Sequence, residues 1–405
     1  MWLYSFIEIM RNFMTALCVL AMPVMAVAQI HYPDSKNPDI LRHMERVEPY
    51  RQEMILPQVN GYNVYKADLH THTLFSDGSV MPEFRVQEAW EDGLDILAIT
   101  DHIESRKSEE IFVEYLQKYV SDEYPKALNT FIALEPTPKG SIMVDLNFSY
   151  NLAKKAADKY GLLVIRGAEI SRCGATIGHF NALFTKDNNE IYDPDPLTCI
   201  RNAKAQNALV MHNHPGYRRT SIDYSEVEKA AYDEGLFDGV EVMNGSAFYP
   251  GIIDRVQDRG LFIAACTDIH AGASTKYRSC GMTRPMTLIL AKDKSEKAVR
   301  EALEARRTLA WGFETLCGEE QLLKDFFVAG MKVEVLRKSS FGTEVALTNL
   351  TSVPYIIQRD GANWQRLNPF TTLRIKAGKG ESSLKFKVLN MFCRSDRNPE
   401  VELKF

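Results

Sequence analysis

Val64-Tyr65-Lys66-Ala67-Asp68-Leu69-His70-Thr71-His72 is a short β-prone run that ends in two histidines. On an ideal strand, residues two apart point to the same side, so His70 and His72 present their imidazoles together, as joint metal ligation requires. The pattern recurs along the chain. Metal-ligand residue types stand in Ser76-Asp77-Gly78, Thr100-Asp101-His102, Gly167-Ala168-Glu169, Gly178-His179-Phe180, His212-Asn213-His214-Pro215 and Thr267-Asp268-Ile269-His270. Most of these sit where an apolar run stops. Imidazoles and carboxylates gathered in this way suit a multinuclear hydrolytic metal centre.

Working outward, apolar strand-like runs appear at 64–69, 96–100, 162–170, 180–184, 208–211, 239–243, 261–266 and 286–290. Helical patterns separate many of them, at 82–92, 111–119, 146–160, 196–206, 224–234 and 295–307, with Gly93, Gly161, Gly235 and Gly260 as stop signals. Strands alternating with helices predict a parallel α/β architecture with its chemistry at the carboxyl ends of the strands. An open doubly wound sheet would not converge ligands from this many strands, so barrel-like closure is expected. Past Gly318 the style changes to closely spaced β-rich runs at 331–337, 343–349, 354–359, 371–375, 384–389 and 400–405. These predict a small C-terminal all-β sandwich.

The domain reading is therefore a leader over 1–28, a lead-in over 29–63, a metallohydrolase domain over 64–317 and a β-sandwich over 318–405. Arg11 precedes an apolar stretch from Phe13 to Val27 that closes on Ala26-Val27-Ala28. That is the form of a secretory signal peptide, with Met10 a plausible start, and it predicts a secreted or periplasmic protein. A membrane anchor is the other reading, but Pro23 interrupts the stretch and it is short for a span of ~20 residues. No later segment is apolar enough to cross a bilayer. The lead-in carries Pro33, Pro38, Pro49 and Pro57 and reads as exposed, with a short helix around 40–47; His31 and His43 read as surface. Cys173, Cys199, Cys266, Cys280, Cys317 and Cys393 are scattered, with no C-x-x-C pair, so a zinc knuckle is excluded; disulfides and buried free thiols both stay open. A formal net charge of −5 gives no reason to expect a grip on extended nucleic acid.

The His70-x-His72, Ser76-Asp77-Gly78 and Ala98-Ile99-Thr100-Asp101-His102 motifs resemble the opening motifs of the PHP (polymerase and histidinol phosphatase) superfamily. Gly167-Ala168-Glu169-Ile170-Ser171, His214-Pro215 and Thr267-Asp268-Ile269-His270 resemble its later motifs in the right order, and the likeness spans roughly 64–315. It implies a distorted (β/α)7 TIM-like barrel and phosphoester hydrolysis at three divalent metal ions. By resemblance, His70, His72, Glu169 and Asp268 hold the first ion, Glu169, His179 and His214 the second, and Asp77, His102 and His270 the third. Imidazole and carboxylate donors suit Zn²⁺, Mn²⁺ or Fe²⁺. A metal-bridging hydroxide would attack phosphorus, with Asp101 or His212 as acid for the leaving group. Three departures stand out: the extra His212, Thr267 in place of the usual Ser, and a long segment between His102 and Glu169 containing Pro136, Pro138 and Gly140.

Arg172, Arg218 and Arg219 follow ligand motifs, and a guanidinium fork matches phosphate oxygens, so they are substrate-binding candidates, with Arg218 also a catalytic one. Blander readings stand beside these: a core role for His179, a turn cap for Asp77, solvated surface for the arginines. Glu241 interrupts an apolar run and is either a support for a ligand or satisfied locally. Trp364 and Tyr355 are candidates for sugar contact, with core packing the default. The function expected is hydrolysis of a small phosphoester, a nucleotide or sugar phosphate, possible in a homo-oligomer. An amidohydrolase-like metallohydrolase and a non-catalytic metal-containing binding protein at the cell surface are the alternatives.

Overall fold

The computed structural model describes residues 31–34, 36–43, 50–104, 145–171, 177–359 and 361–405. The chain forms two compact units, Met1–Tyr50 and Arg51–Phe405. In the first, His31–Asp34 and Asn37–His43 pair as an antiparallel hairpin. Residues 40–43 are therefore strand where a helix was expected; 44–47 lie outside the described residues. So do the segment 1–28, the helix expected at 111–119 and the loop with Pro136, Pro138 and Gly140.

The second unit is built on a long curled sheet. Its strands are β1 (Asn63–Asp68), β2 (Ile96–Ile99), β3 (Leu163–Ile170), β4 (His179–Leu183), β5 (Leu209–Asn213), β6 (Gly239–Asn244), β7 (Phe262–Cys266), β8 (Met286–Ala291), β9 (Thr308–Gly312) and β10 (Thr315–Gly318). They lie in the order β7-β6-β5-β4-β3-β2-β1-β8-β9-β10. All eight strands expected here are present, because each is a buried apolar run long enough to span the sheet. The direction differs from expectation at two strands: β8 runs antiparallel to β1, and β4 runs antiparallel to both β3 and β5. Only residues 171–178 join β3 to β4, too few for the crossover that parallel neighbours need.

Helices α1 (Pro82–Glu91), α2 (Phe148–Ala157), α3 (Pro196–Ala205), α4 (Glu226–Asp233), α5 (Pro250–Arg259), α6 (Ala273–Lys276), α7 (Glu296–Glu304) and α8 (Glu320–Ala329) flank the strands. Asp195 and Ser225 cap α3 and α4, the latter in a capping box with Glu228. The four stop glycines all take left-handed φ, from 61° at Gly161 to 84° at Gly93, which a side-chain-bearing residue adopts at a cost. Helices α5, α6 and α8 were not expected. Pro250 at the first turn and Ile252, Ile253 and Val256 on one buried face account for α5.

Inward side chains such as Ala67, Ile96, Ala98, Ile165, Met211, Ala264 and Ile289 fill the concave side of the sheet beneath the site. The curl brings β7 round to β8 and β9. The Ala265 N–H donates to the Thr287 hydroxyl, which donates in turn to the Ala265 carbonyl, both at 3.0 Å. Beyond the strand ends, Asp268 N donates to His70 O (3.0 Å) and His72 N to Ile269 O (3.1 Å). Residues 51–62, expected as exposed lead-in, strap this unit instead: Arg51 donates to Leu94 O and to Asp95, both at 2.8 Å.

The six C-terminal strands expected past 318 are all present, with Gln365–Leu367 and Met391–Phe392 added. All but Met391–Phe392, which joins the curled sheet, make a three-stranded antiparallel sheet, with Gly342–Asn349 central, and a four-stranded one containing Tyr355–Gln358 and Ser383–Val388. Side chains from both sheets, including Leu347, Ile375, Tyr355 and Phe386, join one apolar cluster with Phe326 and Phe327 of α8 and Leu288 and Leu309 of the curled sheet. Tyr355 is buried, whereas Trp364, for which core packing was the default, is 61% exposed. Cys199, Cys266, Cys280, Cys317 and Cys393 are free thiols; Cys173 lies outside the described residues. No helix among the described residues is long and apolar enough to cross a membrane.

Thr287 is fully buried, so Thr287→Val would leave the Ala265 amide and carbonyl desolvated and unpaired. The expected loss is about 2 kcal/mol, read as a lower urea midpoint with an unchanged m-value. An unchanged midpoint would show that the curl does not depend on this hydroxyl.

Candidate metal centre

The donors sit on loops and strand ends that the curled sheet aims at one point. His70 and His72 follow β1, Asp77 lies in the next loop, and His102 follows β2. Glu169 lies within β3, His179 opens β4, His214 follows β5, and Asp268 and His270 follow β7. Three groups of these side chains have donor atoms all within 4.8 Å of one another: His70, His72, Glu169 and Asp268; Glu169, His179 and His214; and His72, Asp77, His102 and His270. The structure thus brings together all nine residues named as metal candidates, and adds His72 to the third group. Glu169 and His72 each belong to two groups, which ties the three into one cluster.

The contacts are close. Glu169 Oε2 lies 3.3 Å from His70 Nε2, 3.3 Å from His72 Nε2 and 3.0 Å from His102 Nδ1. Its Oε1 is 3.2 Å from His179 Nδ1 and 3.6 Å from His214 Nε2. Asp268 Oδ1 is 3.0 Å from His72 Nε2, and Asp77 Oδ1 is 3.1 Å from His270 Nε2. His70 Nε2 and His72 Nε2 face each other at 3.1 Å. Two imidazole nitrogens at that distance need a shared proton or a shared cation between them.

Whether these residues fit divalent cations can be judged from two orphaned atoms. Asp77 Oδ1 and His102 Nδ1 are buried and have no hydrogen-bond partner, although opposite groups stand 3.0–3.6 Å away. Buried polar atoms left so are uncommon unless they serve a ligand. The electrostatics agree. Burial opposes ionisation of Glu169 and Asp268, yet the surrounding imidazoles hold both carboxyls well below their ordinary range. Burial pulls His72 down, but hydrogen bonds to Asp268 and Glu169 lift it to about 9. Glu169 and Asp268 therefore favour positive charge at His70, His72 and His214, while burial holds His102 down at about 4, and the donor set fits Zn²⁺, Mn²⁺ or Fe²⁺.

A surrounding layer orients the donors. Glu241, fully buried on β6, lies 2.8 Å from His70 Nδ1 and accepts from His214 N at 2.7 Å. A carboxylate accepts, so His70 Nδ1 carries the proton and Nε2 is left to face the cluster. Of the two readings of Glu241, these contacts fit support of a candidate donor. Asn213 Nδ2 donates to Glu169 Oε1 and to Asn181 Oδ1, both at 2.9 Å. Buried Asp68 accepts from Thr267 N and Oγ1 and is paired with buried Arg284. His214 and Asp268 have positive φ, 26° and 51°, strain that clusters at functional sites. Gly78 lets the Asp77 turn close: an added Cβ would lie 2.7 Å from Thr73 O.

Other expectations are corrected. Asp101 is not a free acid, because its oxygens accept from Thr73 N (2.6 Å), Thr73 Oγ1 (2.7 Å) and Ser76 Oγ (2.7 Å). It ties down the loop that carries Asp77. His212 is not in the cluster. With Val210 it points to the outer side of β5, where its ring nitrogens lie 2.7 Å from Glu228 Oε1 and 3.0 Å from the Tyr232 hydroxyl. The strand's two-residue period, counted from Val210, carried that signal. Arg219 is committed as well, to Glu228 Oε2 at 2.7 Å. Arg218 is exposed, has left-handed φ and lies 5.1 Å over the Tyr217 ring. That ring is 5.1 Å from His214, so Arg218 stands at the rim of the site. Arg172 lies outside the described residues. Sequence reasoning missed Asn213, Asp68, Arg284 and Glu104. The Glu104 carboxyl is pushed up to about 7 by burial, against hydrogen bonds from Ser171.

A family model described as the PHP domain matches residues 68–256. No curated protein matches the chain. Among solved structures, the chain is similar to a two-domain protein from Bacteroides vulgatus that contains a predicted PHP-like metal-dependent phosphoesterase. The two are 32% identical over 89% of this chain and 100% of that one, with a TM-score of 0.75. A protein from Bifidobacterium adolescentis described as a putative metal-dependent phosphoesterase is 15% identical over 58% of this chain and 95% of its own, with a TM-score of 0.38. The lesion-specific endonuclease PfuEndoQ from Pyrococcus furiosus is 14% identical over 64% and 59%, also with a TM-score of 0.38. Of these three, only the Bacteroides protein shares the fold closely enough to bear on this chain.

The outer network gives a pH test. Burial opposes ionisation of Glu228, but hydrogen bonds from His212, Arg219 and the Ser225 amide hold its carboxyl down at about 2, below the ordinary 4.5. The stability it contributes is present above 4.5 and is lost as pH falls through about 2. Glu228→Gln is expected to lower the denaturation midpoint at neutral pH, with the gap to wild type narrowing across that acid window. A gap that stays constant would show that the charge of Glu228 is not what holds the network.

Proposed function

The chain belongs to the PHP superfamily of metal-dependent phosphoesterases, and from that premise we propose that it hydrolyses a small phosphoester at a three-cation centre. The observation that carries the reading is the linkage of three donor groups through Glu169 and His72. In the proposal each group holds one divalent ion: His70, His72, Glu169 and Asp268 the first, Glu169, His179 and His214 the second, and Asp77, His102, His270 and His72 the third. Zn²⁺, Mn²⁺ or Fe²⁺ bound there would supply Lewis-acid charge for phosphoryl oxygens and lower the pKa of a coordinated water. In this reading the curled sheet from β1 to β7 is the distorted seven-stranded barrel of the superfamily, and the two C-terminal sheets are its sandwich.

The chain's own residues do the positioning. Glu241 fixes the His70 tautomer, Asn213 turns Glu169, and Asp101 holds the Asp77 loop. Arg218 makes no ion pair with a carboxylate among the described residues, so its guanidinium is free to meet phosphate oxygens entering past Tyr217. A net charge of −5 favours a small substrate over a long polyanion. Export by the 1–28 leader is part of the same proposal.

The test combines metal analysis of the purified protein with a phosphoester panel that includes nucleoside and sugar phosphates. Chelation, His70→Ala and Asp268→Ala should each cut kcat/KM by at least about 100-fold, the scale of losing a charge-stabilising group, while the fold survives by circular dichroism. Activity that persists in both variants removes the centre from the reaction. Hydrolysis of amides or lactones with none of phosphoesters would favour the amidohydrolase alternative.

A further inference from the structure

Arg85, on α1, is fully buried yet is not one of the candidate donors. Its guanidinium reaches the backbone of two donor-bearing loops at once. Nε and Nη2 donate to His72 O at 3.0 and 2.8 Å. Nη2 also reaches Ile269 O (3.1 Å) and His270 O (3.2 Å), and Nη1 donates to Ala271 O at 2.9 Å. Glu88, one turn along, pairs with Arg85 and accepts from Ala273 N at 2.6 Å. A planar fork with five N–H donors can bind carbonyls on both loops together, and a lysine ammonium cannot reproduce that geometry.

This hold falls unevenly on the three donor groups. Within the first, His70 is fixed by Glu241, Glu169 by Asn213, and the turn into Asp268 by Asp68 and Arg284. Within the third, Asp77 is held by the loop that Asp101 ties down. His270 is different: its side chain is 40% exposed, and its ring touches only other candidate donors and one carbonyl, with Nε2 3.1 Å from Asp77 Oδ1, Nδ1 2.9 Å from Asp268 O and the ring stacked on His72, centroid to centroid 4.3 Å. Beyond its contacts with other candidate donors, what places the His270 ring is its backbone, which Arg85 and Glu88 hold from α1 and which Ser79 holds from the Asp77 loop, its N and Oγ donating to His270 O at 2.8 and 3.2 Å.

We propose that Arg85 is a positioning residue above all for one cation, the ion held by His72, Asp77, His102 and His270; the first group shares His72, whose carbonyl Arg85 binds, but keeps His70, Glu169 and Asp268 on supports of their own, so it and the second group still fill without Arg85. The inference rests on the three-cation reading above and adds to it a division of labour among the buried supports.

The test is Mn²⁺ and Co²⁺ binding to the full chain, by elemental analysis after desalting and by calorimetric titration. Wild type is expected to bind three ions. Arg85→Lys should retain two with near-native affinity and weaken the third by about 10–100-fold, the range for losing a support to a ligand. His270→Ala should lose the same ion, and Glu88→Gln, which removes the Ala273 anchor more gently, should weaken it less. Co²⁺ absorption then identifies the ion: Arg85→Lys and His270→Ala should lack the same bands. Retention of all three ions at native affinity in both Arg85→Lys and Glu88→Gln overturns the proposal, and so does loss of all three together. If Arg85→Lys does not fold, Glu88→Gln decides by the same criterion. A wild-type chain that binds fewer than three ions overturns the three-cation reading and this proposal with it; three ions in wild type and in both variants overturns this proposal only.

Discussion

Glu169 is a carboxylate removed almost wholly from water, with five imidazole nitrogens within 3.6 Å. Burying such a charge is costly unless it is paired and hydrogen-bonded. The rest of the domain is arranged to make this burial tolerable. Strands β1, β2, β3, β4, β5 and β7 each deliver a donor at or near an end, and the curl of the sheet is what lets ends so far apart in sequence meet. Without the closing contacts between 268–269 and 70–72, Asp268 and His270 would not share a pocket with Glu169. The ordering is thus from charge to curl: one desolvated carboxylate sets how far the sheet must bend.

A single strand separates two ionisable networks with different purposes. On β5, Asn213 points inward and donates to Glu169, while His212 points outward into Glu228 and Tyr232. On the inner side Asp77 Oδ1, His102 Nδ1 and Asn213 Oδ1 are buried without partners, whereas on the outer side both His212 ring nitrogens and both Glu228 oxygens are paired. That asymmetry separates a binding centre from a structural knot made of the same residue types. The outer knot still matters to the site, because Glu228 holds Arg219 and the Ser225 hydroxyl reaches Ile177 O, close to His179.

Legibility follows how local each feature is. The strands and most helices could be read from apolar runs and stop glycines, and the nine candidate donors from motif order, since each is a property of a few adjacent residues. The β9–β10 hairpin could not, because its two-residue turn places Phe313 and Glu314 in left-handed φ with none of the Asn-Gly chemistry that marks such turns. The reversal of β4 lay in a connection length, not in a composition. His212 was misassigned because it sits beside His214, although strand parity sends it the other way. Asp101 was misread for a related reason: its three hydrogen-bond donors, on Thr73 and Ser76, come from a loop 25–28 residues earlier. Arg85 and Arg284 were invisible, since their partners lie up to 186 and 216 residues away.

The C-terminal sheets follow from the same distinction between local and distant. The change of pattern past 318 is real, with strands replacing alternating strands and helices, but the core does not change there. Val345, Tyr355 and Leu384 share an apolar cluster with Leu97, Leu288 and Leu309 of the curled sheet. Met391–Phe392 extends that sheet by pairing in parallel with β10, and Arg366 pairs with Glu314 at the β9–β10 turn. Strands β8 and β9, buried by this cluster on one side, carry the Thr287 and Thr308 hydroxyls that receive the β7 edge on the other. The C-terminal region thus backs the strands that take up the end of the curl, and through them the position of Asp268 and His270. A segment with no donor of its own in the cluster therefore bears on its geometry through packing alone.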